Sequence, residues 1–275
     1  MTSPTARSVP YESLVQAHAE RARSFNGAAA VYAAARPSYP SALLDAVEEL
    51  AGRPVEGARV ADVGAGTGIS TALLRARGAR VVAVEPGDGM AAQFRRALPD
   101  ASLVRGDGNH LPLASGSADL ITYAQSWHWT DPAHSFPEAM RVLRPGGALA
   151  LWWNTDAQDV PWIAEQAERI RQHFGDARAN KSGGGTRTLE KDLHFAGAPF
   201  PPAPDRIGRR VVRWSRRVPV DTHLTNIASH SLFILHGEES TRAFLDQERI
   251  CLHEVFPDDV VEEVYDVLLL VVTAP

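Results

Sequence analysis

The sequence has one cysteine, Cys251, in 275 residues. No disulfide can form within the chain, and a reducing, cytoplasmic setting is expected. Lysine is nearly missing: Lys181 and Lys191 are the only two, and the other basic residues are arginines. There is no excess of positive charge, the formal net charge being −5, so a nucleic-acid partner, which needs a basic face, is not expected. Apolar runs such as Val267-Leu268-Leu269-Leu270-Val271-Val272 fall far short of the roughly 20 residues that cross a bilayer. Met1 to Arg7 contain no apolar stretch of the kind that leads a chain into secretion. Histidines and cysteines do not cluster at ligand spacing, so no metal is expected. What remains is the composition of an ordinary folded globule, long enough for one large α/β domain with a cap.

The richest stretch is Val60-Ala61-Asp62-Val63-Gly64-Ala65-Gly66-Thr67-Gly68-Ile69-Ser70. A β-branched run ends in a carboxylate, a glycine turn follows, and Ser70 to Leu74 opens a helix. That order makes the ligand-facing corner of a doubly wound sheet. Ile69 stands where a dinucleotide fingerprint has its third glycine, which disfavours a nicotinamide cofactor. A second strand, Arg80 to Val84, ends at Glu85-Pro86, where an acid accepts hydrogen bonds from ribose hydroxyls. A third, near Leu103 to Arg105, ends at Asp107-Gly108, within reach of an adenine amine.

Strand and helix then alternate at βαβ spacing. Strands are expected at Arg59–Val63, Ala118–Ala124, Ala148–Trp152, Val211–Trp214 and Val260–Val272. Helices are expected from Ser41 to Gly52, up to Arg77, over Gly89–Leu98, Pro132–Leu143, Trp162–Phe174, Asp221–Leu232 and Glu239–Phe256, with a turn at Pro145-Gly146-Gly147. Residues 1–40 carry a loose helical stripe and a proline-bent loop around Tyr32, Pro37 and Pro40. Residues 155–205 are interrupted by Gly183-Gly184-Gly185 and Pro199 to Pro204. The expected organisation is a single domain over 1–275, with a lid at 1–40, a cofactor-binding core at 41–154, a cap at 155–205 and the rest of the sheet at 206–275.

The ordered set of glycine turn, Glu85, Asp107, Trp127-His128-Trp129 and Leu143-Arg144-Pro145-Gly146-Gly147 resembles the class I S-adenosylmethionine-dependent methyltransferases over about residues 25–154. It is similar to their small-molecule branch, which includes ubiquinone/menaquinone and trans-aconitate methyltransferases. The resemblance implies a doubly wound, mostly parallel seven-stranded sheet with a helical cap, and S-adenosylmethionine as cofactor with S-adenosylhomocysteine as product. It places Asp62, Gly64, Ala65, Gly66, Thr67 and Gly68 around the methionine end, Asp62 near the ammonium. Glu85 and Pro86 fall at the ribose, with Met90 beside ribose or adenine (or in the core), Asp107 and Gly108 at the adenine (or in a plain turn), and Gln125 at the end of strand four.

His128 is the candidate catalytic residue, as a base or as an orienting group; a packed or exposed loop histidine is the alternative. Tyr32, Trp127, Trp129 and Trp153 are candidate pocket walls, although Trp152 or Trp153 must face the core because neighbours in a strand point to opposite sides. The Asn/Asp-Pro-Pro-Tyr/Phe motif of nucleobase amino-methyltransferases does not follow strand four. Both lysines lie in the expected cap, where they cannot build the tetrad of ribose methyltransferases. The arginines from Arg206 to Arg217 read as a solvated face rather than an anion site. The expected activity is methyl transfer to an oxygen, nitrogen or carbon of a small molecule, by a monomer or homodimer. A nicotinamide-dependent oxidoreductase and a non-catalytic cofactor-binding regulator are the alternatives.

Overall fold

Strands separated by amphipathic helices pair in parallel, because each helix returns the chain to the edge where the next strand must start. The computed structural model describes residues 35–175 and 206–275 and has this arrangement. In chain order come α1 (Ser41–Ala51), β1 (Arg59–Val63), α2 (Ile69–Ala76), β2 (Arg80–Glu85), α3 (Asp88–Ala97), β3 (Ser102–Arg105), β4 (Ala118–Ala124), α4 (Pro132–Val142), β5 (Leu143–Asp156) and α5 (Pro161–Phe174). After the second described segment begins come β6 (Ile207–Pro219), α6 (Val220–Ala228), α7 (Ser231–His236), α8 (Glu238–Val255) and β7 (Val260–Thr273). The strands form one sheet in the order β3-β2-β1-β4-β5-β7-β6. Strands β1 to β5 are parallel, and β7 runs antiparallel between β5 and β6.

Alternation along β5 splits the core in two. Leu149, Leu151 and Trp153 pack with Phe136 and Val142 of α4. Ala148, Ala150 and Trp152 pack with Leu43, Leu44 and Val47 of α1. The adjacent tryptophans therefore lie on opposite faces of the sheet, and both are buried. The edge of Tyr39 meets Trp152 at 5.9 Å between ring centres. A third apolar cluster joins Phe174 of α5 to Val220, Leu224 and Ile227 of α6, Phe244 and Leu252 of α8, and Val261 of β7. The helical layer over this end of the sheet thus draws on α6 and α8 as well as on α5.

The fifth strand starts earlier than its sequence suggests. Leu143 already pairs with Ala118, and the next pair is Leu120 with Ala148, so Arg144 to Gly147 bulge out of a ladder that continues on both sides. Gly146, at φ 69°, supplies the turn inside that bulge. The helix expected over Asp221–Leu232 is two helices. The Ser229 hydroxyl donates back to the Asn226 carbonyl at 2.5 Å, and His230 is extended at φ −75°, ψ 146°, which ends α6 and caps α7. The lid expected at 1–40 is described only from Ala35, and the cap only to Gly175; Tyr32 and residues 176–205 lie outside the described residues. Among the described residues no helix is long and apolar enough to cross a membrane.

Candidate active site

The carboxyl ends of β1, β2 and β4 meet where the strand order reverses, which is where an open α/β sheet leaves a crevice. The register places Asp62 of β1 beside Thr122 of β4. The Thr122 hydroxyl donates to one Asp62 oxygen at 2.8 Å and the Thr71 hydroxyl to the other at 2.6 Å. Asp62 is fully buried. Burial raises its pKa above the ordinary range, and the bonds from Thr71 and Thr122 oppose the rise. Asp62, the residue expected at the ammonium end of the cofactor, ties β1 to α2 and β4 beneath the turn.

Glu85 ends β2, 6% exposed, and each of its oxygens accepts one backbone amide: Gly87 N–H at 2.7 Å and Gly66 N–H at 2.8 Å. Burial pushes its pKa up, against those two bonds and the charge of Arg105. No ion pair reaches it among the described residues. Gly66 sits at φ 58° with nothing among the described residues within 4 Å of where a Cβ would stand, so in the described part the turn is open beside the carboxylate. Gly64 has the opposite constraint: at φ 66°, its Cβ would lie 2.5 Å from that of Ser126. Ser126 crosses this close because its hydroxyl donates to the Val63 carbonyl at 2.6 Å. Ala65 and Thr67 are buried within the turn, and Gly68, at φ 95°, starts α2.

Gln125, directly after β4, is left-handed at φ 59°, an uncommon backbone for a residue with a side chain. Its amide N–H donates to the Trp152 carbonyl at 2.9 Å and its side chain to the Asn154 carbonyl at 3.2 Å, so neighbouring β5 holds the strained residue. The turn Trp127–Trp129 follows. Trp127 is 3% exposed and sits edge-on to Tyr123 at 4.8 Å; it belongs to the core, as does Trp153. His128 is exposed. The Trp153 indole N–H donates to its Nδ1 at 3.4 Å, and the Trp129 ring lies 4.7 Å from it.

Asp107 is exposed and spends one carboxylate oxygen on its own turn, accepting from Asn109 N–H at 2.7 Å and His110 N–H at 3.3 Å. Gly108 is packed so closely that a Cβ would lie 2.7 Å from the Thr130 methyl. Met90 lies in the first turn of α3, half-buried, and Pro86 is exposed. The carbonyl of Pro86 accepts from Arg105, which anchors the segment after Glu85 to β3.

Residues 61–151 match a family model described as a methyltransferase domain. The matched residues run from β1 into β5. An uncharacterised methyltransferase of Mycobacterium bovis is 44% identical over 147 residues, covering 54% of this chain and 58% of its own. A demethylmenaquinone methyltransferase of Beutenbergia cavernae is 39% identical over 122 residues, covering 44% of this chain and 49% of its own. The chain thus spans about half the length of the curated relatives it matches. A solved structure from Anaeromyxobacter dehalogenans, described as a candidate type II methyltransferase, aligns with 87% of this chain and 99% of its own at a TM-score of 0.63 and 22% identity; that likeness concerns the fold.

The methyltransferase turn is held by residues that the motif does not display. Thr71 and Thr122 hold Asp62 below it from α2 and β4, and Ser126 holds the Val63 carbonyl from the loop after β4. Threonine and serine one turn into a helix or inside a strand carry no signal of their own. Only the pairing of β1 with β4 reveals that they converge.

Proposed function

We propose that the protein moves the methyl group of S-adenosylmethionine to a small-molecule acceptor, leaving S-adenosylhomocysteine. The observation that carries this reading is Glu85. It is a nearly buried carboxylate, each oxygen already accepting one amide and keeping capacity for one more donor. Two adjacent ribose hydroxyls are the donor pair that such a carboxylate accepts. The free space over Gly66 leaves room for the methionine portion against the backbone of the turn. The relative named as a demethylmenaquinone methyltransferase and the net charge of −5 favour a small acceptor over a nucleic acid. Ile69 opens α2 where a dinucleotide site has glycine, which speaks against the nicotinamide alternative.

The cofactor brings an already activated sulfonium methyl, so alignment and exclusion of water are the main tasks left to the protein. Gln125 and the turn after it hold His128 at the mouth of the crevice. An indole can only donate, so the bond from Trp153 makes Nδ1 of His128 an acceptor, and in the neutral ring the hydrogen sits on Nε2. In that tautomer His128 donates to an acceptor oxygen and orients it; it does not remove the acceptor's proton at Nε2. Calorimetry tests the assignment. Glu85→Ala should weaken S-adenosylhomocysteine binding by about 1–3 kcal/mol. Unchanged affinity removes Glu85 from the site, and tighter binding of NAD than of S-adenosylhomocysteine overturns the reading.

A further inference from the structure

A small cavity lies further out along the same sheet edge, where β5 ends and β7 begins. Trp162, Ile163, Asn226, Ile227, Glu263 and Tyr265 are among its walls. The polar groups around it are nearly all matched. Glu263 accepts from Arg216 Nε at 2.5 Å, His223 Nδ1 at 2.7 Å and Asn226 Nδ2 at 3.3 Å. Asn226 Nδ2 also donates to the Tyr265 hydroxyl at 3.0 Å. The remaining nitrogen of His223 faces Gln166, which in turn donates to Glu248, itself held by Arg169.

One atom is left over. A carboxylate can only accept, so Glu263 draws the NH₂ of Asn226 toward itself and turns the amide oxygen away. Asn226 is 3% exposed, and among the described residues its Oδ1 is buried without a hydrogen-bond donor. Native proteins rarely leave a buried acceptor in that state unless a water or a ligand completes it. Asp156, an exposed second acceptor, reaches the same cavity from the end of β5. Trp162, Ile163 and Ile227 add an apolar side, with Gln166 and His223 completing the polar one. Asp156 is two residues, about 7 Å of strand, beyond Asn154, whose carbonyl holds Gln125 at the end of β4. The cavity therefore lies along β5 beyond the contact between Gln125 and Asn154.

We propose that this cavity, which has room for one water-sized group, is a polar anchoring subsite of the acceptor pocket, taking a terminal hydroxyl or amine that donates to Asn226 Oδ1 while the adjoining carbon stays at the mouth against Trp162 and Ile227. Its use rests on the methyl-transfer reading; its capacity to bind a donor does not. The test follows the side-chain amide signal of Asn226 and the indole signal of Trp162 by NMR, in the full chain with S-adenosylhomocysteine present. Ethanolamine and ethylene glycol are added as donors and acetate as an acceptor-only probe. Both signals should move saturably with a donor and not with acetate. Asn226→Leu should weaken the donor response, followed at Trp162, by about tenfold or more with S-adenosylhomocysteine affinity unchanged. No saturable shift with either donor, an equal response to acetate, or an undiminished response in Asn226→Leu overturns the proposal. Should that variant fail to fold, the wild-type contrast of donors with acetate still decides. Failure of S-adenosylhomocysteine to bind while the donor shifts persist would sink the cofactor reading and leave the subsite standing.

Discussion

Two sets of buried carboxylates line one edge of the sheet, and they are stabilised in opposite ways. At the β1/β2 end, Asp62 and Glu85 are held by hydroxyls and backbone amides, with no ion pair among the described residues, and burial raises both pKa values. At the β5/β7/β6 end, Glu263 sits between His223 and Arg216, and Glu248 accepts two bonds from Arg169. Burial still works against the Glu263 charge, but the bond and charge of His223 and then those of Arg216 outweigh it, taking its pKa down to about 2. A matched carboxylate has its charge satisfied within the fold and serves stability. An unmatched one keeps capacity for a ligand. The contrast separates binding residues from bracing residues more sharply than residue type does.

The largest way to break this contrast is to unpair the matched set. Arg216→Met should cost roughly 3 kcal/mol or more in urea unfolding, because it leaves Glu263 buried with one cation fewer. It should leave S-adenosylhomocysteine affinity alone; a loss under about 1 kcal/mol would mean that the pair is not structural.

Acid should act next, and with opposite sign at the two ends. Glu263, its folded pKa lowered to about 2, contributes stability that is present above the ordinary carboxylate range and lost as pH falls toward 2. The drop of some 2.5 units corresponds to roughly 3 kcal/mol at most. The difference between wild type and Glu263→Gln should therefore shrink from pH 5 to pH 2. Glu85 has a raised folded pKa, so the folded state holds its proton where the unfolded chain has released it, and stability falls as pH rises through that window. Glu85→Gln should thus gain on the wild type as pH rises, and a parallel trend for the two variants would erase the distinction. In binding, Glu85→Ala gives the mirror image: affinity lost with little change in folding.

The smallest effect belongs to His128. As a donor from Nε2 it should tolerate Gln, with turnover within a few-fold. A general base would lose about 10²–10⁴, and such a loss in His128→Gln would restore the base.

What could be read from the sequence is what lies along the chain. Asp62 and Glu85 each close a β-branched run, the glycines follow at fixed spacing, and β1 and β4 begin and end where their patterns do. Hidden from it was whatever depends on which strands become neighbours. Thr122 meets Asp62 only because β4 pairs with β1, and Ser126 explains Gly64 only because the chain crosses there. Arg213 and Arg216 read as part of a solvated run, yet Arg213 lies opposite Asp266 and Arg216 opposite Glu263 once β6 and β7 are antiparallel. Trp127, a candidate pocket wall, packs against Tyr123 in the core, a placement that depends on the 3₁₀ turn after β4.

The place of β7 has a consequence for how the molecule is made. β7 follows β6 in the sequence yet lies between β5 and β6 in the sheet. On a ribosome, β1 to β5 can assemble as they emerge, whereas β6 leaves the tunnel with no strand to join until residues 260–273 arrive. A waiting strand is an invitation to pair with a stranger, and charge along it is the usual deterrent. Arg209, Arg210, Arg213, Arg216 and Arg217 fall on this strand. Charge of that kind on a strand that must wait is the deterrent the general rule describes.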